Sequence, residues 1–117
     1  MEPLEIKTEQ RDNAVILRVN GEVDSYTAPR LHDELAEAFT EARRHGFAVV
    51  LDMSAVFFLA SSGLSVLVEF HTLGAEVGTP LRVVAPPGSV LRALRATMLN
   101  EMIELHATVP EALATRS

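Results

Sequence analysis

The sequence predicts an α/β fold: one domain over residues 1–117, with a mixed four- to five-stranded sheet that begins with an antiparallel hairpin and is packed with about four helices. Three observations carry this expectation. Two strand-like runs near the start are separated by only a short polar connector. The nearly continuous apolar run of residues 47–53, FAVVLDM, reads as a central strand covered on both faces. From there, strand-like and helix-like segments alternate, the pattern of βαβ units and a largely parallel sheet.

Leu4, Ile6 and Thr8 alternate with Glu5 and Lys7, a period of two that suits a half-buried strand. Residues 10–13 form the connector, and residues 14–19, AVILRV, are rich in the β-branched types that favour a pleated surface. So short a link makes the two strands antiparallel. Asn20-Gly21 is expected to end the second strand, with a brief extension at Glu22-Val23. Thr27 fits an N-cap and Pro29 the first turn of a helix, where a missing N–H costs nothing. Leu31, Leu35, Ala38, Phe39 and Ala42 recur at helical spacing and make one apolar face. Arg43, Arg44 and His45 suit the negative end of that helix, and Gly46 its stop. After the central strand, residues 56–59 read as an apolar turn. A second helix opens near Ser61 or Ser62 and runs to about Leu73 or Val77, with Leu64, Leu67, Val68 and His71 on its apolar face. Val66 and Phe70 fall off that face, either buried under a neighbouring element, the reading preferred for Phe70, or forming a partner-facing patch. Gly74 and Gly78 are expected to mark its frayed end, and Thr79-Pro80 ends it. Residues 81–85, LRVVA, form a further strand. Ser89 caps a third helix carrying Val90, Leu91 and Leu94. Residues 102–105 are a last short strand, and residues 110–115 a small terminal helix.

Composition narrows the function. The apolar share of 48% and charged share of 22% are ordinary for a globular fold. The absence of cysteine removes disulfides, thiolate catalysis and cysteine-based zinc sites, and a reducing cytoplasm is the expected setting. No run approaches the ~20 apolar residues of a membrane span, and the polar start does not look like a secretion signal. A net charge of −6, with few aromatics and no Trp, argues against nucleic acid and against anionic membranes as partners. His32, His45, His71 and His106 show no metal-ligand spacing, so no metal or cofactor is expected. A serine hydrolase is also disfavoured. On one helix Ser62 and His71 would stand ~13 Å apart along the axis, and no Gly-x-Ser-x-Gly elbow is present. The chain is expected to have no catalytic residues and not to be an enzyme.

The most informative stretch is residues 51–67, LDMSAVFFLASSGLSVL. A helix start exposes unpaired N–H groups and carries partial positive charge. A serine there caps the helix, holds a phosphate, or does both.

With these residues the chain resembles the STAS domain family, and in particular its anti-sigma factor antagonists. The first motif that carries the resemblance is Gly21-Glu22-Val23-Asp24, followed by Thr27 and Ala28 ahead of the first long helix. The second is Leu51-Asp52-Met53-Ser54, an apolar stretch over Val56, Phe57, Phe58 and Leu59, and then Ala60-Ser61-Ser62-Gly63-Leu64. The resemblance implies a regulatory protein that binds an anti-sigma factor which is also a serine kinase, and so frees a sigma factor. It implies phosphorylation of the first serine of the pair, Ser61, with Ser62 as the alternative, and a phosphatase that resets the phosphoserine. It places Asp24, Phe57, Phe58, Leu59, Ala60, Ser61, Ser62 and Gly63 at the partner surface of a monomer or weak dimer. The family usually has Asp immediately before the acceptor serine, and this chain has Ala60. That leaves a more apolar rim, and it makes a non-phosphorylated scaffold or sensor module in a stress-signalling assembly the alternative.

Overall fold

The computed structural model describes residues 3–114. Strands β1 (Leu4–Arg11) and β2 (Ala14–Val23) form the expected hairpin, paired from Leu4↔Gly21 to Arg11↔Ala14. Asp12 and Asn13 join them with φ of 52° and 63°. Two left-handed residues in succession make the turn whose twist matches that of the strands, and Asx residues tolerate it. There follow α1 (Ala28–His45), β3 (Ala48–Leu59), α2 (Ser61–Val77), β4 (Leu81–Val84), α3 (Ser89–Ala96), a 3-10 turn (Leu99–Glu101), β5 (Glu104–His106) and α4 (Val109–Ala114). Thr115, where the last helix was expected to end, lies outside the described residues.

The sheet order is β1-β2-β3-β4-β5, and every pair after the hairpin is parallel. Strands added in one direction by right-handed crossovers place all crossover helices on one face. Leu35 and Phe39 of α1, Leu67 and Phe70 of α2 and Leu94 of α3 accordingly share the main core with Leu17, Leu51 and Val83. The opposite face is left to α4, where Val109 and Ala112 cover Ala14, Ile16, Val50 and Val84. Beyond that small cap the back face is polar. Arg18 bridges Glu9 at 2.9 Å and Asp52 at 3.6 Å, and Arg82 meets Glu104 at 3.1 Å.

Several local expectations are corrected. β2 does not stop at Asn20-Gly21 but passes through it to Val23, with register shifts against β3 on either side. Residues 56–59 are not a turn: β3 continues through them, paired with β2 as far as Val23↔Leu59. On its other side β3 pairs with β4 only over Val49 to Asp52, so its second half overhangs the sheet. The buried stripe of α2 is Gly63, Val66, Leu67, Phe70 and Gly74, so Val66 and Phe70 face inward, and Leu64 and Val68 are only half-buried. Gly74 lies in the helix body rather than at a frayed end. A Cβ there would sit 2.3 Å from the Thr79 carbonyl oxygen. The N-caps of α2 and α3 are Ala60 and Gly88, not serines, and Thr27 occupies the N-cap of α1 without a side-chain bond to the helix. The last strand begins two residues later than expected, at Glu104.

Candidate functional site

The parallel pairing of β2 and β3 brings their C-terminal ends together. The Ala60 amide donates to the Val23 carbonyl at 2.8 Å, so the loop leaving β2 lies beside the start of α2. The two sequence motifs, some thirty residues apart in the chain, thereby become one surface.

Its first half is a self-bonded loop. Asp24 Oδ1 accepts from the amides of Tyr26 at 2.9 Å and Thr27 at 3.1 Å. Thr27 Oγ1 accepts from the Asp24 amide at 3.0 Å and donates to the Glu22 carbonyl at 2.8 Å. The Asp24 carbonyl then accepts from the Ala28 amide at 2.8 Å. Asp24 is thus an Asx-turn residue that shapes the entry to α1. Thr27, which is buried, has its hydroxyl occupied here, and this is why it does not cap the helix.

The loop holds out Tyr26, which is 93% exposed. Sequence reasoning passed over it. The one available signal was the chain's single Tyr standing between a strand and a helix start. Phe57 and Phe58 are 61% and 50% exposed on the overhanging end of β3. Monomers seldom leave three large aromatics in water at one end of a sheet without use for them. Leu59 and Gly63, expected at the partner surface, are instead buried. A Cβ on Gly63 would stand 2.5 Å from Leu59 Cδ1 and 2.6 Å from Val23 Cγ1. Glycine is what lets α2 begin this close to the strand ends.

The two serines part company. Ser61, the first residue of α2, is exposed, and its carbonyl accepts from Ser65 Oγ at 3.1 Å. Ser62 turns its hydroxyl inward, where Oγ is buried and has no hydrogen-bond partner. The Gly63 and Leu64 amides return to the Ala60 carbonyl at 3.0 and 3.1 Å. The Ser61 and Ser62 amides precede the first intrahelical bond and remain as donors at the helix mouth. No acidic side chain occupies the first turn to neutralise that end, and Ala60 adds none. A dianion on Ser61 would meet free N–H groups and the positive end of a 17-residue helix.

Among the described residues no helix is long and apolar enough to cross a membrane. The family model of the STAS domain matches residues 5–112. The anti-sigma-F factor antagonist RsfB of Mycobacterium tuberculosis is 29% identical over 104 residues, spanning 87% of this chain and 80% of that protein. The crystal structure of an anti-sigma factor antagonist from Mycobacterium paratuberculosis is similar with a TM-score of 0.77 at 30% identity, over 94% of this chain and 91% of that one. The Bacillus cell fate determinant SpoIIAA, in its phosphorylated form, is similar with a TM-score of 0.65 over 93% of this chain and 96% of that one, and its 17% identity makes this a likeness of fold.

Proposed function

Because the chain belongs to the STAS domain family, we propose that it is an anti-sigma factor antagonist that binds a kinase-type anti-sigma factor, frees a sigma factor, and is switched by phosphorylation of Ser61. The observation that carries this reading is the exposed Ser61 hydroxyl at the first position of α2, on the same end of the molecule as exposed Tyr26, Phe57 and Phe58. The names of the mycobacterial relatives support the partner class. The cytoplasm is the compartment this role needs.

In this mechanism the aromatics anchor the partner and Ser61 lies under it. Tyr and Phe supply large contact areas at small entropic cost. The partner kinase transfers a phosphoryl group to Ser61 Oγ, adding roughly −1.5 to −2 charge. The free molecule absorbs this at the helix mouth. The covered one places the charge in a desolvated seam near Asp24, where like charges cost several kcal/mol, and about 1.4 kcal/mol is tenfold in affinity. A phosphatase returns the protein to its binding form. Ser61 is assigned ahead of Ser62 because the Ser62 hydroxyl is buried and out of a kinase's reach.

The test is incubation with the cognate anti-sigma kinase and ATP, followed by peptide mass analysis. One phosphate on Ser61, absent from Ser61→Ala, supports the switch. Tight binding without phosphate on either serine would remove the switch and leave the binding role. That outcome would favour the scaffold reading, to which Ala60 points because it deprives the site of the family's carboxylate.

A further inference from the structure

We infer that the chain associates with a second copy of itself through the free edge of β1, joining two sheets into one. β1 has β2 on one side, and among the described residues no strand on the other. Two bonds fix which backbone groups face out. The Glu22 amide donates to the Pro3 carbonyl, so odd-numbered residues of this strand bond toward β2. The Leu4 carbonyl instead accepts from the Arg30 guanidinium, pointing the other way. By alternation Ile6, Thr8 and Gln10 direct their N–H and C=O groups outward. That is an eight-residue edge of the kind that recruits another strand.

Charge then selects both the partner and the register. The odd residues Glu5, Lys7, Glu9 and Arg11 share the back face, away from α1, and all are exposed. In an antiparallel pair centred on Thr8↔Thr8, Thr8 exchanges both bonds with its copy, and Ile6 and Gln10 exchange theirs across the axis. In the same register Lys7 falls opposite Glu9, and Glu5 opposite Arg11, each twice. Opposite charges directly across a ladder are favourable and like charges are not. Moving the axis by one residue in either direction places Lys7 against itself, or Glu9 against itself. Moving it by two leaves a shorter ladder with fewer complementary pairs. The edge is therefore complementary to its own two-fold image, as a symmetric interface requires. Glu9 keeps its bond to Arg18 on the same face. Glu34, Glu37 and Glu41 of α1 flank the groove above Thr8 and Gln10 and would look across the seam at their counterparts, which keeps the association weak. Because the two β1 strands run in opposite directions, the two Ser61 ends point apart and both remain open to partners.

Sedimentation equilibrium of the full chain from micromolar to millimolar concentration tests this. The expected result is a mass rising from 12.7 kDa toward twice that value. Glu5→Arg and Arg11→Glu should each weaken the association at least tenfold, because each sets like charges opposite one another. The combined Glu5→Arg/Arg11→Glu swap should restore it, which it does only in this register. Thr8→Pro, which removes the central N–H, should abolish it, with circular dichroism certifying the fold. A monomer throughout the range overturns the inference. So does a dimer indifferent to these changes, or one that the swap fails to restore.

Discussion

Asp24 separates two kinds of explanation for a residue at a binding surface. As part of the family motif it is expected to meet the partner, whereas in the structure one carboxylate oxygen holds the Tyr26 and Thr27 amides. An amide oxygen can hold both bonds, and a methyl group cannot. Asp24→Asn is therefore expected to keep the stability and the partner affinity, while Asp24→Ala loses about 1 kcal/mol and loosens the platform that presents Tyr26. Urea denaturation and calorimetric titration with the anti-sigma factor measure the two effects. If Asp24→Asn weakens binding as much as Asp24→Ala, the partner reads the charge and not the loop. Gly63 makes an independent case. Its added Cβ would overlap both Leu59 and Val23, neither of which can retreat within a packed core. Gly63→Ala is expected to cost about 1–3 kcal/mol in urea denaturation.

At the scale of elements, α1 and α2 lie side by side over the sheet and are pinned by one polar and two aromatic contacts. His32 Nε2 and Glu69 Oε2 are 2.7 Å apart, the His32 ring meets Phe70 edge-on at 5.0 Å, and Phe70 lies 5.3 Å from Phe39. The hydrogen bond to Glu69, assisted by the charges of Glu69 and Asp33, raises the His32 pKa above its ordinary value against a smaller opposing effect of burial. A raised folded-state pKa means the folded protein favours the imidazolium. The stabilisation is complete below the ordinary value of about 6.5 and is lost as pH rises through the higher folded value. The side chains are 39% and 58% exposed, so solvent screens the pair and its worth stays at about 0.2–1 kcal/mol. His32→Gln is expected to be less stable than wild type by that amount near about pH 5.5, with the gap shrinking near about pH 8.5. Parallel urea titrations measure it, and a gap independent of pH would place the contribution in packing alone. The hairpin, α1 and the two-sided central strand were legible because each carries a complete local pattern. The far half of β3 was not, because it has β2 on one side only and its burial follows no period of two. The face of α2 was hidden for a related reason: apolar side chains surround most of the helix, and only contact with the strand ends and α1 shows that Gly63 and Gly74 belong to the buried stripe.

At the scale of the whole molecule, the described residues pack as one unit in which the start of α2 is held fast. The crossover helices lie on one face over a single core, α4 closes part of the other, and α2 is locked at its start by Gly63 against Leu59 and Val23. In the proposed mechanism a charge added at Ser61 therefore acts where it is placed, on the partner and not on the shape. This separates two quantities that a conformational switch would move together. Ser61→Glu puts a carboxylate at the first position of a helix whose first turn has no acidic residue, so the free protein is expected to be unchanged or stabilised by about 0.3–1 kcal/mol. The same variant is expected to bind the anti-sigma factor about a hundredfold less tightly or worse. Ser61→Ala should bind as well as wild type, since the Ser61 hydroxyl caps nothing. Urea denaturation and calorimetric titration on the same three proteins read both axes. Loss of affinity with stability intact locates the switch in the covered seam. Loss of both would mean that the negative charge disturbs the start of α2, and the mechanism would have to pass through the fold.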